Sequence, residues 1–144
     1  MGLPLRSFAV EITEGILLNA ISNVVEVLDH YRDGGIQVAL DDFGTGYSSL
    51  AYLKRFHIDY LKIDQSFVRD IDVNEGSRAI AESMIVMAHR LGLKVIAEGV
   101  ENAEQEAVLR TAGCDFAQGF LFSKALPPAD FTSLLRRGFP PARC

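Results

Sequence analysis

The sequence predicts an α/β protein built on a parallel sheet: an incomplete TIM-type (β/α)8 barrel of about five βα units. Three observations predict it. Short apolar runs alternate with amphipathic helical stretches through most of the 144 residues, the pattern of strands laid parallel under crossover helices. Polar or charged residues recur where each apolar run ends: Glu11, Asp41 with Asp42, Lys62, Glu98 and Gln118. A doubly wound sheet places its site at one switch point, whereas a barrel rings every strand end around one mouth. Five units do not close an eight-stranded barrel, so about three strands are missing and are expected before residue 1.

The elements follow in order. Phe8-Ala9-Val10-Glu11-Ile12 reads as a buried strand, and Thr13 as the cap of a helix with Leu17, Ile21, Val24, Val25 and Leu28 on one face. Gly34-Gly35 closes that helix, and Ile36 to Leu40 forms the second strand. Adjacent side chains on an ideal strand point to opposite faces. Asp41 and Asp42 therefore share a site only if the strand breaks before them, and Gly44 and Gly46 supply the freedom to break. A short helix is expected around Ser48 to Lys54, and a third strand over Asp59 to Asp64. A turn of helix over Ser66 to Ile71 leads to a long helix from Ser77 to Leu91, with Ile80, Met84, Met87, Ala88 and Leu91 inward and Gly92 as its stop. Lys94 to Ala97 is the fourth strand. Asn102 with Gln105 forms a capping box for a helix ending at Gly113. Asp115 to Gly119 is a fifth strand, and Pro128 opens a last helix carrying Phe131, Leu134 and Leu135, before Pro140-Pro141.

Bulk properties narrow the function. The formal net charge of −5 comes without a basic stripe, which excludes a nucleic-acid polymer as partner. No apolar run approaches the roughly 20 residues of a membrane helix, and Met1 to Ser7 lacks a signal-peptide core. The two cysteines, Cys114 and Cys144, have no metal-type spacing, which fits a reduced, cytoplasmic setting. His30, His57 and His89 lie on or beside helices and are assigned surface or packing roles.

Four carboxylates converging with one lysine call for hard cations, and Mg²⁺ or Mn²⁺ suit oxygen ligands. Two ions about 3.5–4 Å apart need a bridging carboxylate and flanking ones, which Asp41, Asp42, Glu11 and Glu98 can supply. Lys62 can then hold an attacking water or a developing negative charge, and Glu98 can act as general base. Plainer readings stand beside these. Lys62 can pair only with Asp59 or Asp64, Glu98 and Glu101 can be a charge pair at a helix N-terminus, and Gln118 can simply satisfy backbone groups beside Gly119. The same strand position in all five units favours the site.

Five stretches resemble the EAL domain: Glu11 to Glu14, Asp41 to Leu50, Leu61 to Val68, Ile96 to Glu101 and Gln118 to Lys124. That family hydrolyses cyclic di-GMP to linear pGpG. The resemblance covers nearly all of residues 1–144, as the carboxyl-terminal portion of the domain. It implies that Glu11 is a metal ligand, that Asp41 bridges two Mg²⁺ or Mn²⁺ ions and that Asp42 binds the second. It makes Lys62 a contact of the attacking water, Glu98 the base or a ligand, and Gln118 a neighbour of the metals. It implies too that Glu14 and Glu101 steady the loop from Asp42 to Ser49, where Gly44, Thr45 and Gly46 lie. The Glu-Ala-Leu motif itself is absent, as are the substrate-binding arginine after it and a metal-binding asparagine. Gly15 stands for the usual Ser, Phe120 for Tyr and Ala125 for Pro.

Two functions follow: the carboxyl-terminal part of a metal-dependent cyclic di-GMP phosphodiesterase, or an inactive remnant that binds the nucleotide or a protein. An unrelated aldolase-like barrel, with Lys62 as a Schiff-base nucleophile, fits the surrounding carboxylates less well. Both outer strands would present unpaired edges. The isolated chain is therefore expected either to oligomerise, completing a barrel between protomers, or to be only marginally stable without the missing amino-terminal part of the barrel.

Overall fold

The structure, a computed structural model, describes residues 4–18, 22–44, 53 and 56–138, apart from the side chains of 17, 18, 22 and 23. Five strands form one sheet: β1 (Ala9–Thr13), β2 (Gln37–Phe43), β3 (Tyr60–Ile63), β4 (Lys94–Ala97) and β5 (Phe116–Ala117). All neighbours are parallel, and the strands lie side by side in chain order. Among the described residues there is no switch point, so the sheet is a segment of a barrel wall and not a doubly wound sheet. The helices are α1 (Glu14–Leu18), α2 (Ser22–Asp33), α3 (Gln65–Val68), α4 (Glu75–Arg90), α5 (Ala103–Thr111) and α6 (Pro128–Arg137). No helix among the described residues is long and apolar enough to cross a membrane.

Strand alternation separates the two faces. Ile12, Val38, Leu40, Leu61, Ile63, Val95 and Ala97 are buried toward the helices, in one core with Val68, Ile71, Ala81, Ile85, Ala88 and Leu109. The alternate set, Glu11, Asp41, Lys62 and Glu98, occupies the other face with Tyr60 and Phe116, whose rings meet edge to face at 5.9 Å. Hydrophobic burial thus fixes which side of every strand carries the charges.

β4 runs over Lys94–Ala97 as expected, and Asn102 with Gln105 makes the expected reciprocal capping box on α5. Pro128 sits in the first turn of α6, also as expected, but Phe131 and Leu135 are exposed. Thr13 is the last residue of β1 and immediately precedes α1, which begins at Glu14, so it stands at the position expected of a cap. α4 starts earlier than the periodicity suggests because Asn74 accepts hydrogen bonds from the Gly76 and Ser77 amides. Its inward stripe is Ala81, Met84, Ile85 and Ala88, leaving Ile80 exposed. Two small alanines on that stripe permit closer approach to the sheet than Ile80 would.

β2 differs most from expectation. The strand does not break at Leu40 but continues through both aspartates to Phe43, with a register shift between Leu40 and Phe43. Such a bulge adds a residue and re-aims side chains. Asp42 takes φ 58°, the one non-glycine with positive φ among the described residues, and Gly44 follows at φ 91°. A short polar side chain tolerates this region better than most. A Cβ on Gly44 would lie 2.4 Å from Met84 Cε. Thr45, Gly46 and the helix expected around Ser48 to Lys54 lie outside the described residues, save Leu53, as do Ile21, Cys144 and Pro140-Pro141.

β5 is shorter than Asp115 to Gly119 because its flanks have other partners. The Asp115 carboxylate accepts from the Val95 amide, and Gly119 folds so tightly on Val100 that a Cβ there would lie 2.1 Å from the Val100 carbonyl oxygen.

Candidate active site

Four adjacent strands each bring one charged side chain to the same end of the same face. Glu11 comes from β1 and Asp41 from β2. Lys62 comes from β3, and Glu98 follows β4 directly, its amide donating to the Ile63 carbonyl at 3.1 Å. They meet at Lys62 Nζ, which lies 2.8 Å from Glu11 Oε2, 2.8 Å from Glu98 Oε1 and 3.3 Å from Asp41 Oδ2. The Lys62 side chain is 4% exposed, against 55% for Glu11. The alternative partners go elsewhere: Asp59 Oδ2 accepts from the Val38 amide and Asp64 caps α3 through the Ser66 amide.

Burial alone would lower the Lys62 pKa. Hydrogen bonds to Glu11 and Glu98, with the charges of Glu98 and Asp41, outweigh it and hold the ammonium above its usual range. Burial raises the Glu98 carboxyl above its usual value despite the nearby Lys62, with Asp41 and Glu11 adding to the rise. Three carboxylates around one ammonium leave an excess of two negative charges.

Beside this cluster is an open cavity of about 380 Å³, lined by Asp42, Asp64, Glu98, Glu101 and Gln118, with Phe120 at its edge. The structure brings Glu11, Asp41, Lys62 and Glu98 together, and Asp42 and Gln118 into the adjoining cavity. The main chain of Gln118 is held in place, its amide donating to Ala97 O and its carbonyl accepting from Val100 N. The side chain lines the cavity. Glu14 is buried at the start of α1, and its Oε2 has no hydrogen-bond partner among the described residues. Glu101 reaches the cavity, and its amide donates to Gln105 Oε1 at 2.7 Å.

Sequence reasoning assigned Gln105 only to a helix cap. It is 2% exposed, and its Nε2 also donates to Arg69 O at 2.8 Å. One side chain thereby ties the turn after α3 to the segment holding Glu98 and Glu101. Asp64 was likewise missed as a cavity residue, although its shared face with Lys62 was the available signal.

The donor set is one of oxygens and is anionic, which suits a hard divalent cation. Among the described residues, however, no three acidic, histidine or cysteine side chains stand in a metal-holding group. The point on which three carboxylates converge is occupied by Lys62 Nζ. The residues fit a cation chemically, with the lysine at their centre.

Residues 1–125 match the EAL domain family model. The cyclic di-GMP phosphodiesterase NbdA of Pseudomonas aeruginosa is 45% identical over 135 residues, covering 94% of this chain and 17% of that protein. The EAL domain of Mycobacterium smegmatis DcpA superposes with a TM-score of 0.90 at 42% identity, covering 96% of this chain and 62% of that one. Klebsiella pneumoniae BlrP1, in a complex with manganese and cyclic di-GMP, superposes with a TM-score of 0.77 at 38% identity, covering 85% of this chain and 31% of that one. The chain spans only 17% of the length of NbdA, and from 16% to 27% of other curated relatives such as y4lL of Sinorhizobium fredii and PdeN of Escherichia coli. Sheet order, strand-end residues and these matches agree, and the chain belongs to the EAL domain family.

Proposed function

We propose that residues 1–144 form the carboxyl-terminal portion of an EAL domain whose function is metal-dependent hydrolysis of cyclic di-GMP to pGpG. The observation that carries this is the convergence of Glu11, Asp41 and Glu98 on Lys62 beside the acidic cavity. An anionic dinucleotide is repelled by such a cavity unless cations intervene. Glu11, Asp41, Asp42 and Glu98 would hold two divalent ions, Mg²⁺ or Mn²⁺, which when bound supply charge neutralisation and an activated water.

The chain's own groups have separable tasks. Glu98, held 2.8 Å from Lys62 at the cavity wall, is the carboxylate that accepts the proton of the attacking water. Lys62 keeps Glu98 aimed and offers positive charge where negative charge develops on the phosphate. Gln118 presents a neutral amide at the cavity wall, able to hold a phosphate or sugar oxygen without adding charge. Glu14 and Glu101 position the loop that contains Gly44, Thr45 and Gly46.

The second reading is a receptor that binds the nucleotide without hydrolysing it. It is favoured by the Lys62 ammonium standing at the point a cation would take. Among the described residues β1 and β5 have no outer neighbour and α6 exposes Phe131 and Leu135, so the working unit is completed by further βα units, from a second copy or from a longer polypeptide, in the cytoplasm. Sedimentation of this chain alone tests the first source, and a stable monomer rejects it.

The deciding experiment measures pGpG released from cyclic di-GMP in Mg²⁺ or Mn²⁺, beside an Asp41→Asn control. Product that vanishes in the control supports the enzyme. Nucleotide binding without product supports the receptor.

A further inference from the structure

We infer that Lys62 is the counter-cation of the metal-free site and that a divalent ion enters by exchange with it, Glu11 and Asp41 leaving the ammonium while Glu98 stays. This rests on the metal-site reading above. A buried ammonium needs partners, and three carboxylates close to one point need a positive charge between them. Lys62 meets both needs at once, with contacts of 2.8, 2.8 and 3.3 Å.

The same contacts decide which bonds exchange. Both Asp41 oxygens are engaged, Oδ1 by the Asp42 amide at 3.0 Å and Oδ2 by Lys62. Each oxygen keeps a further lone pair, but a hard cation bound to Oδ2 at about 2.0–2.6 Å would stand close to the Lys62 ammonium, and that contact, at 3.3 Å, is the longer of the two. Glu11 is more than half exposed and free to turn, whereas Glu98 is 21% exposed. Lys62 and the incoming ion carry charge of the same sign and repel over this distance. The lysine thus holds the metal-free site together and weakens cation binding.

Two variants of the 144-residue chain test the exchange, with Mn²⁺ binding read by calorimetry and metal-free stability by thermal unfolding. Lys62→Met is expected to unfold at lower temperature without metal and to bind Mn²⁺ about tenfold more tightly than the parent. Lys62→Arg, which keeps the charge, is expected to remain within a few-fold of the parent. Equal or weaker Mn²⁺ binding by Lys62→Met, with the parent binding, overturns the exchange and leaves the metal site standing. No Mn²⁺ binding by any of the three overturns the metal site, and the exchange with it.

The parent chain supplies an arm that needs no variant. The ¹⁵N signal of the Lys62 ammonium is expected to shift or broaden on Mg²⁺ addition. An unchanged signal, while the Asp41 and Asp42 amides report Mg²⁺ binding, overturns the exchange even where Lys62→Met does not fold.

Discussion

Asp59 Oδ2 accepts a hydrogen bond from the Val38 amide at 2.8 Å, so the residue just before β3 closes the start of β2. Asp115, just before β5, does the same for Val95 of β4. In both cases the amide of a strand's second residue is satisfied by the side chain that immediately precedes the next strand. Asp59→Ala is expected to orphan the Val38 amide, at a residue 1% exposed, and to cost about 1–3 kcal/mol. Urea unfolding measures it. Asp59→Asn, which keeps an acceptor oxygen, is expected to lose less.

Asp115 adds a pH dependence. Burial acts to raise its carboxyl pKa, but the hydrogen bonds from His89 and Val95 and the charges of His89 and Lys94 outweigh it and hold it below the usual value. A carboxyl depressed in the folded state contributes stability above its unfolded value of about 4 and loses it as pH falls through the folded value. Acid unfolding of the parent is therefore expected to steepen below about pH 4. In Asp115→Asn that part of the slope disappears, and melting temperature against pH for the two chains reads the difference.

Gln105 joins two segments through three hydrogen bonds, two accepted by Oε1 from the Glu101 and Asn102 amides and one donated by Nε2 to Arg69 O. Gln105→Leu keeps the bulk and removes all three. A loss of about 2–4 kcal/mol is expected, since the backbone groups left behind are screened from water. Because Glu101 and Glu98 stand on the released segment, nucleotide binding is expected to weaken as well. Control substitution of an exposed residue on the same helix, Glu104→Gln, is expected to change neither.

Glu98→Gln separates base from scaffold. The amide oxygen still accepts from Lys62, so metal-free melting is expected to shift only slightly. Turnover of cyclic di-GMP, in whichever assembly supports it, is expected to fall by at least about a hundredfold, in line with the loss of a positioned general base. Retained turnover would remove Glu98 from that role.

Legibility in the sequence followed locality. The capping box at Asn102 depends on residues three apart, and β4 on a run bounded by Gly92 and Gly99; both are readable without the fold. The partners of Lys62 are not local. Neighbouring Asp59 and Asp64 look available in the sequence, but parallel register places Glu11, Asp41 and Glu98 around the ammonium instead. The candidate set was nonetheless legible from strand-end position, because the first four units each present a charge, and the fifth the Gln118 amide, at the same end. The bulge in β2 left no periodic trace, since Asp-Asp-Phe-Gly suits a broken strand as well as a bulged one. On α4 the inward placing of Met84 and Ala88 was legible, whereas Ile80 points outward and Ala81 and Ile85 take the inward places, because apolar side chains occur on both sides of the stripe.

The positive φ of Asp42 has an evolutionary consequence. Glycine at this position would relax the backbone by roughly 1 kcal/mol, so selection for thermostability alone would replace the aspartate. The carboxylate and the relaxed backbone are mutually exclusive at this one residue. Asp42→Gly is the substitution to watch for in descendants of this chain that abandon chemistry and keep the fold, because there the relaxed backbone no longer competes with a need for the carboxylate.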